Sequence, residues 1–297
     1  MIKLHIIEHR KAWYGFSLAL GVLSIVALTV WGLRPGIDFT GGSLLEVSMN
    51  PLPTQSAVHE ALATAGHTEA VVQLSQESVL IRTRTITEEE HQVLLGSLTQ
   101  TFGAITELKF DSIGPIIGKE LRQMALWGIG TSLVLIALYL AWSFKSADET
   151  LISGKKIAIL TVLKTFHDLL ISIGVFAILG HFLGYEMDTA FVAGALTILG
   201  YSINDGVVVL DRTRENLKLK ISTHLEEIVD RAIDQTLARS INTSVTVFLA
   251  LLAVFLFGGE STRPFAMLLL IGVLVGTYSS VFIASPLLVT LRTQKNT

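Results

Sequence analysis

An aspartate and an arginine stand in parts of the sequence that are otherwise apolar. Asp205 lies inside the stretch 187–210, directly after Asn204, and Arg239 precedes the apolar stretch 245–257. A carboxylate inside a bilayer is costly unless it is protonated, paired or hydrated, so it indicates movement of ions or protons. A low dielectric favours the protonated acid, whereas a nearby guanidinium favours the charged form. Asp205 and Arg239 therefore predict a site that takes up and releases a proton.

A second polar group, His167 and Asp168, falls in another apolar stretch. Imidazole titrates in the physiological range and is suited to relaying a proton. Lys164 precedes Asp168 by one helical turn and shares its helix face; we interpret it as a lysine that extends its ammonium to the membrane surface. The oxygens of Asn204 and Ser202 could orient water or help to coordinate Na⁺, so the sequence leaves both H⁺ and Na⁺ open as the coupling ion.

Each of these residues also has a structural explanation. Asp205 could be a carboxylate satisfied by neighbouring helices, and Arg239 could be a basic anchor at a helix end. His167 and Asp168 could make the modest interhelical hydrogen bonds that are common in membrane proteins. The remaining histidines are scattered along the chain, and we assign no metal site to them.

The composition is that of a membrane protein, because 51% of the residues are hydrophobic, 16% are charged, and the mean hydropathy is +0.59. A bilayer is spanned by about 20 apolar residues in a helix. The six predicted membrane spans are 13–33, 123–143, 157–180, 188–210, 239–257 and 264–291. The first span is too long for the apolar core of a signal peptide, and we expect it to be retained as an anchor.

The distribution of lysine and arginine predicts the orientation of these spans. Basic residues are concentrated before span one, after span two and after span four, and short loops rich in Lys and Arg stay in the cytoplasm. The residues are Lys3, Arg10, Lys11, Lys145, Lys155, Lys156, Arg212, Arg214, Lys218, Lys220 and Arg231. Both tails, 1–12 and 292–297, are therefore expected in the cytoplasm, and the insert 34–122 on the opposite, periplasmic side.

The insert 34–122 is predicted to be a small α+β domain. Alternating strands at 43–49, 69–74, 79–84 and 104–110 flank two helices, 54–65 and 87–102, the second of which begins with a capping box at Thr87 and Glu90. The order βαββαβ indicates a ferredoxin-like fold. Without cysteine the domain has no disulfide, and six basic against eleven acidic residues argue against nucleic acid as its ligand.

The cytoplasmic loop 211–238 is predicted to contain an amphipathic helix on the inner membrane face, opened by a capping box at Thr223 and Glu226. Span five would then begin near Arg239, since the apolar stretch 245–257 alone is too short to cross a bilayer. Its polar inner end, which includes Ser240 and Thr243, should face the bundle. In span six, Gly272 and Gly276 have the spacing that permits close helix packing.

Several segments, in the same order along nearly the whole chain, resemble the SecD/SecF family of bacterial protein-export subunits, relatives of the resistance-nodulation-division exporters. They are 36–42 (GIDFTGG), 113–121 (IGPIIGKEL), 200–205 (GYSIND), 211–216 (DRTREN), 257–259 (FGG) and, in span six, 271–285. The resemblance implies a six-span half in the inner membrane that pairs with SecD beside the SecYEG channel. There, ion flow would move periplasmic domains that act on the translocating preprotein.

The resemblance also implies roles for individual residues. The ion-pathway aspartate of span four corresponds to Asp205, the basic residue at the start of span five to Arg239, and the His-Asp pair of span three to His167 and Asp168. One difference is Gly206, which stands where the family usually has a hydroxyl residue. The segment around Arg239 also differs in detail from the Ser-Arg-Thr pattern of the family.

Three classes of function are compatible with these residues. The first is an ion-coupled, non-enzymatic subunit of protein export that uses H⁺ or Na⁺ and needs no other cofactor. The second is a self-sufficient exporter of lipids or small hydrophobic molecules, for which an insert of this size leaves little room. The third is an intramembrane aspartyl protease in which Asp168 and Asp205 share a proton; a nearby arginine would oppose the protonated member.

Overall fold

A computed structural model describes residues 6–75, 78–144 and 154–293 of the chain. The predicted cytoplasmic residues Lys3 and Lys145, and the end of the C-terminal tail from residue 294, lie outside the described residues. The chain divides into two compact units: an inserted unit made of residues 34–127 and 186–189, and a helical unit made of the rest.

The elements follow one another from an apolar helix, through a small sheet domain, to a series of long helices. The first part comprises α1 (Arg10–Val30), α2 (Ile37–Thr40), β1 (Gly42–Met49), α3 (Gln55–Thr64), β2 (Val71–Leu74), β3 (Val79–Thr83), α4 (Glu88–Phe102) and β4 (Ile105–Ile113). The second part comprises α5 (Pro115–Ser143), α6 (Gly154–Leu183), α7 (Thr189–Lys218), α8 (Leu225–Phe257), α9 (Arg263–Ser279) and α10 (Ser285–Thr293).

The prediction of six spans is confirmed, since the described chain contains six helical segments long and apolar enough to cross a membrane. Several helices extend beyond the predicted apolar stretches. Helix α5 begins at Pro115 and α7 continues to Lys218. Hydropathy marks only the part of a helix suited to lipid, so it does not detect a helix that continues into a polar environment.

The prediction of a separate amphipathic helix before span five is wrong. Helix α8 runs unbroken from Leu225 to Phe257, because this segment contains neither proline nor glycine. Its apolar residues Ile228 and Val229 are buried in a cluster with Leu217 of α7 and Val281 of the sixth span. They therefore contact protein rather than lipid head groups.

The capping box predicted before α8 is also absent. The helix begins after His224, whose side chain makes no capping hydrogen bond. Glu226 instead pairs with Arg10 at 2.8 Å, and Ser222 donates a hydrogen bond to Glu227. The acidic residue predicted to close the cap has a long-range partner, which a local motif cannot reveal.

The sixth span is not one regular helix. Helix α9 ends at Ser279 and is followed by a π-helical turn, Ser280–Ala284, before α10 begins. Pro286, the second residue of α10, has no N–H to donate, and Ser285 donates its hydroxyl to the Ser280 carbonyl at 3.0 Å. Such π turns are often found at functional sites.

The inserted unit contains a four-stranded antiparallel sheet in the order β2-β3-β1-β4, and its elements have the predicted βαββαβ order. Helices α3 and α4 supply Val58, Leu62, Leu94 and Leu98 to a common core with the strands. The predicted capping box is confirmed: the Glu90 N–H donates to the Thr87 hydroxyl at 3.3 Å, and the Thr87 N–H to the Glu90 carboxylate at 3.0 Å.

The loop between α6 and α7 belongs to the inserted unit. Met187 exchanges two backbone hydrogen bonds of 2.7 Å with Arg34 and Gly36, and Glu186 forms a 2.9 Å ion pair with Arg82. A Cβ at Gly36 would lie 3.1 Å from the Met187 carbonyl, so glycine allows this close approach. Burial raises the pKa of the Glu186 carboxyl, although Arg82 and Arg34 oppose the shift.

Asp38 ties the same loop to the segment GIDFTGG. Its carboxylate accepts hydrogen bonds from the Thr189 N–H at 2.7 Å and from the Thr189 hydroxyl at 2.6 Å. Thr189 is the first residue of α7, and a carboxylate is favourable at the N-terminus of a helix. Gly41, with φ of 76°, ends helix α2 where a Cβ would meet Pro115 at 2.8 Å.

Candidate functional site

Asp168 has no exposed side-chain surface and lies at the centre of a polar cluster in the helical unit. Its Oδ2 accepts hydrogen bonds from the hydroxyls of Ser202 at 2.7 Å and Ser279 at 2.6 Å, and lies 3.1 Å from the Lys164 ammonium. Its Oδ1 contacts Nδ1 of His167 at 3.0 Å. Helices α6, α7 and α9 each contribute to the cluster, and both carboxylate oxygens are fully engaged.

The interpretation of Lys164 as a residue that extends to the membrane surface is wrong. Its side chain is 0% exposed and its ammonium points inward. It donates to the Ser202 carbonyl at 2.5 Å and to the Ser202 hydroxyl at 3.0 Å, and it pairs with Asp168. The spacing of the two charged residues predicts their shared face. It does not reveal that this face is turned toward other helices.

His167 connects the buried cluster to α1. Since an ionised Asp168 can only accept, Nδ1 of His167 carries the proton that it donates. Its Nε2 contacts the hydroxyl of Ser17, a buried residue of α1. The His167 side chain is 20% exposed, whereas Asp168 has no exposed side-chain surface. His167 is thus the member of this cluster closest to the surface of the helical unit.

Asp205 has entirely different surroundings. It lines a cavity of about 80 Å³ together with Asn204, Arg239, Ser240 and other residues of α7 and α8. Its Oδ2 is buried and has no hydrogen-bond partner among the described residues, and the same is true of the Ser240 hydroxyl. Buried polar atoms of this kind need a partner. The cavity has room for water molecules that could supply one.

Arg239 lines this cavity without forming an ion pair with Asp205 within 4.0 Å in the described chain. Arg239 and Asn204 are exposed on the surface of the helical unit, whereas Asp205 is only 8% exposed. The structure therefore brings Asp205, Asn204 and Arg239 to one cavity. It places His167 and Asp168 in a different cluster, and no contact joins Asp168 to Asp205 among the residues described.

The polar inner half of the fifth span faces the bundle only in part. Ser240 and Ser244 are buried, as predicted, but Asn242, Thr243 and Thr246 are exposed. The buried pair follows the helical period of four residues, so one stripe of α8 faces protein. The prediction assigned all the polar residues of this segment to the bundle, whereas the structure buries some of them and leaves the others exposed.

Helix α7 connects the two groups of polar residues. Ser202, in the buried cluster, precedes Asp205 by three residues, so the two lie near one another on the helix surface. Tyr201 donates to Ser244 at 2.7 Å, and Ser244 contacts Thr277 at 2.6 Å. This hydrogen-bonded chain, which joins α7, α8 and α9, was not predicted from the sequence.

Glycines allow the close helix packing on which the cluster depends, as predicted for span six. A Cβ at Gly272 of α9 would overlap the side chain of Ile198 in α7. A Cβ at Gly276 would lie 3.6 Å from the Ser202 Cα. One turn beyond Gly276, Ser279 reaches Asp168. Ser279 was missed as a site residue, although its position after two closely packed glycines was a usable signal.

The helices and their buried charges define a polytopic membrane protein with ionisable groups inside its bundle. Residues 94–294 match the family described as protein export membrane protein SecD/SecF, C-terminal, and residues 26–51 match the SecD/SecF GG motif. The chain belongs to the SecD/SecF family.

Known relatives carry the name protein translocase subunit SecF. The protein from Thermobaculum terrenum is 38% identical over 96% of this chain and 93% of that relative, and the one from Anaerolinea thermophila is 35% identical over the same shares. The crystal structure of SecDF from Thermus thermophilus, described as a translocon-associated membrane protein, aligns with a TM-score of 0.85 and 32% identity. The alignment covers 97% of this chain but 38% of that one. The six apolar helices and these relatives indicate a multi-pass protein of the bacterial inner membrane.

Proposed function

We propose that this chain pairs with SecD and uses a transmembrane ion gradient to promote preprotein translocation through the SecYEG channel. Its membership of the SecD/SecF family supports a role in export, and the 38% share of the solved SecDF chain leaves room for a companion half. Both termini would be cytoplasmic and the inserted unit periplasmic, as the basic residues predict.

The observation that carries the proposal is the buried Oδ2 of Asp205, which has no hydrogen-bond partner among the described residues and belongs to a cavity that Arg239 also lines. An acid that is largely buried, yet next to a hydratable cavity, can exchange a proton without leaving the bundle. Arg239 lines the same cavity, and an approach of its guanidinium to Asp205 would favour the charged form of the acid. Proton uptake and release would thereby change the contact between α7 and α8.

The contrast with Asp168 supports assigning the titrating role to Asp205. Asp168 is held by Lys164, His167 and two serine hydroxyls, so loss of its charge would break several interactions together. Oδ2 of Asp205, by contrast, has no hydrogen-bond partner in the part of the chain that the structure describes. We therefore assign Asp168 and His167 to holding α6 against α1, α7 and α9, with His167 available as a relay.

The energy available from the gradient suits a change in helix packing. A membrane potential of about 100 mV supplies ~2.3 kcal/mol for each elementary charge moved across the bilayer. This can shift an equilibrium between two packed arrangements of the helices. The inserted unit would then move as a body, and exported chain would be pulled over repeated cycles.

The two other classes of function receive less support. A protease would need the carboxylates of Asp168 and Asp205 to share a proton, but Asp168 is engaged by other residues and makes no described contact with Asp205. An independent exporter of lipids or small hydrophobic molecules is not favoured, because the relatives described above are translocase subunits.

Asp205→Asn tests the proposal, because asparagine keeps the shape of the side chain but its amide does not take up and release a proton. We expect the variant to assemble with SecD and to lose the gradient-dependent part of export. Preprotein import into inverted membrane vesicles would be measured under separate proton and sodium gradients. Asp211→Asn, an exposed position on the same helix, is the matched control. Unchanged gradient dependence in Asp205→Asn would reject the proposal.

A further inference from the structure

The ammonium of Lys164 is surrounded by oxygen atoms inside the helical unit. It has three N–H groups, and three oxygens surround it: the Ser202 carbonyl at 2.5 Å, the Ser202 hydroxyl at 3.0 Å and Oδ2 of Asp168 at 3.1 Å. The lysine side chain is 0% exposed. Each proton of the ammonium thus has one acceptor, and none is directed to solvent.

The oxygens around Lys164 are of the kind that bind small cations. Transporters coordinate Na⁺ near the middle of the membrane with main-chain carbonyls and polar side chains. Here a carboxylate, a main-chain carbonyl and a hydroxyl meet at the ammonium. Two more hydroxyls lie next to them: Ser279 is 2.6 Å from Oδ2 of Asp168, and Thr165 is 3.4 Å from the Ser202 hydroxyl.

We propose that Lys164 determines which ion this protein uses, because its tethered ammonium fills the oxygen cluster of Asp168 and Ser202 and excludes Na⁺ from it. The inference rests on the proposed ion-coupled function and narrows the coupling ion to H⁺. A lysine is attached covalently to α6 and cannot leave with the ion flux, so Na⁺ cannot take its place beside Asp168 during the cycle. Asp168 consequently stays paired throughout the cycle.

Gly206 borders the side chain of Lys164. A Cβ at position 206 would lie 3.6 Å from Cδ and 3.7 Å from Nζ of Lys164, which is ordinary contact. A methyl group would therefore fit at this position beside the lysine. Gly206, which follows Asp205 in the sequence, thus packs against the buried Lys164.

The second buried acid is also poorly suited to Na⁺. Arg239 lines the cavity at Asp205, and its positive charge would repel a metal ion there but is compatible with a proton bound covalently to the acid. Each of the two buried aspartates described in the helical unit thus has a basic residue nearby, Lys164 beside Asp168 and Arg239 at the cavity of Asp205. A proton that neutralises Asp205 needs no such coordination shell.

The first test measures sodium binding to the purified full chain. Thermal unfolding would be followed at alkaline pH in NaCl and in choline chloride of equal concentration. We expect no sodium-specific shift for the wild type. Lys164→Met and Lys164→Gln should each gain a saturable rise in melting temperature of several degrees in NaCl alone, because Na⁺ can replace the missing ammonium. Lys218→Met, at an exposed position, should behave as the wild type.

A double variant separates sodium binding from a general effect of the substitution. Lys164→Met combined with Asp168→Asn removes the anion together with the lysine, so the sodium-specific shift should disappear. This neutral pair also avoids an uncompensated buried carboxylate, whose presence could prevent folding of the single variants. If Lys164→Met and Lys164→Gln both fold and neither responds to sodium, the proposal is overturned.

The second test uses export and needs no variant to fold. In wild-type vesicles we expect a proton gradient to stimulate import and a sodium gradient to have no effect. Stimulation by sodium alone would overturn the role of Lys164 and leave the ion-coupled function intact. Stimulation by neither gradient would reject the proposed function itself, whereas the binding test would still report whether Lys164 excludes Na⁺.

Discussion

Two buried acids of the helical unit, Asp168 and Asp205, differ in how their charges are accommodated. Asp168 has an ammonium, an imidazole and two hydroxyls around it, whereas one oxygen of Asp205 has no described partner. Two carboxylates with such different environments take different roles in many active sites. This difference is the reason for proposing a structural role for Asp168 and an ion-handling role for Asp205.

Substitutions at Arg239 test whether its charge acts on Asp205. Lysine keeps the charge but not the planar guanidinium, so Arg239→Lys should retain part of the gradient-dependent import into vesicles. Arg239→Met keeps much of the apolar stem and removes the charge, and it should abolish that part. Comparing Arg239→Met with Arg239→Lys controls for the length of the side chain.

Equal import by the two Arg239 variants would contradict this role. It would indicate that Arg239 serves as an anchor whose stem packs at the membrane boundary. Protein accumulation in the membrane, measured in parallel, would show whether either variant is lost before it can act.

The sequence predicts some of these residues well and others poorly. Asp205 was identifiable because a charged residue in an apolar stretch has few explanations. The orientation of Lys164 could not be predicted, since helical spacing places it beside Asp168 but does not say what packs on that face. Ser240 and Ser279 are common residue types, and only the neighbouring helices give them a place near the buried acids.

At the scale of elements, the packing of α9 against α7 determines whether the buried cluster can form. Gly272 allows Ile198 to approach, and Gly276 brings the two helices close at Ser202. Ser279 can then reach Asp168. The spacing of the two glycines predicted close packing, although it did not identify the partner helix.

A methyl group at Gly272 should separate α9 from α7. Gly272→Ala would overlap Ile198, and forcing such a group into a packed interface costs ~1–3 kcal/mol. We expect a lower melting temperature of the purified chain and loss of gradient-dependent import. Gly200→Ala, on α7, is the matched control because a Cβ there has open space. Both substitutions gain the same helix propensity, so equal melting temperatures would contradict the packing argument.

Helix boundaries were the weakest part of the sequence prediction. The six spans were found because each contains a long apolar run. The continuous helix α8 was divided into two because the hydropathy changes near Arg239, yet the backbone has no residue there that would end a helix. Solvent preference and backbone continuity are different properties, and only the first is visible as a hydropathy pattern.

At the scale of the whole molecule, the chain passes repeatedly between the helical unit and the inserted unit. The short loop 186–189 belongs to the inserted unit, and its last residue, Thr189, begins the helix that carries Asp205. The carboxylate of Asp38 holds that residue through two hydrogen bonds. A covalent route therefore runs from the proposed ion site to the inserted unit.

Asp38→Ala should weaken this connection without altering the chemistry of Asp205. Loss of a side chain that caps a helix costs about 1 kcal/mol, so the first turn of α7 should exchange its amide hydrogens faster. We expect partial loss of gradient-dependent import. Hydrogen exchange of the full chain would be measured by mass spectrometry, with Asp111→Ala as a control in the same unit. Unchanged exchange in the first turn of α7 would contradict the role of Asp38.

The element order of the inserted unit was predictable because its strands alternate and its helices have clear caps. The attachment of the loop 186–189 was not, since it depends on single hydrogen bonds between segments far apart in sequence. Asp38 lies within the segment GIDFTGG, yet nothing in that segment indicates that its carboxylate caps a distant helix. Long-range polar contacts of this kind require the fold to be known.

The length of α8 has a mechanical consequence. A helix of 33 residues is about 50 Å long, which exceeds the hydrocarbon thickness of roughly 30 Å by some 20 Å. Its first half packs on the end of α7, so a second helix supports the part of α8 that exceeds the hydrocarbon thickness. A tilt of about 10° would swing the free end of a rod of that length by roughly 9 Å. Small angular changes within the bilayer would thus be enlarged in the aqueous phase.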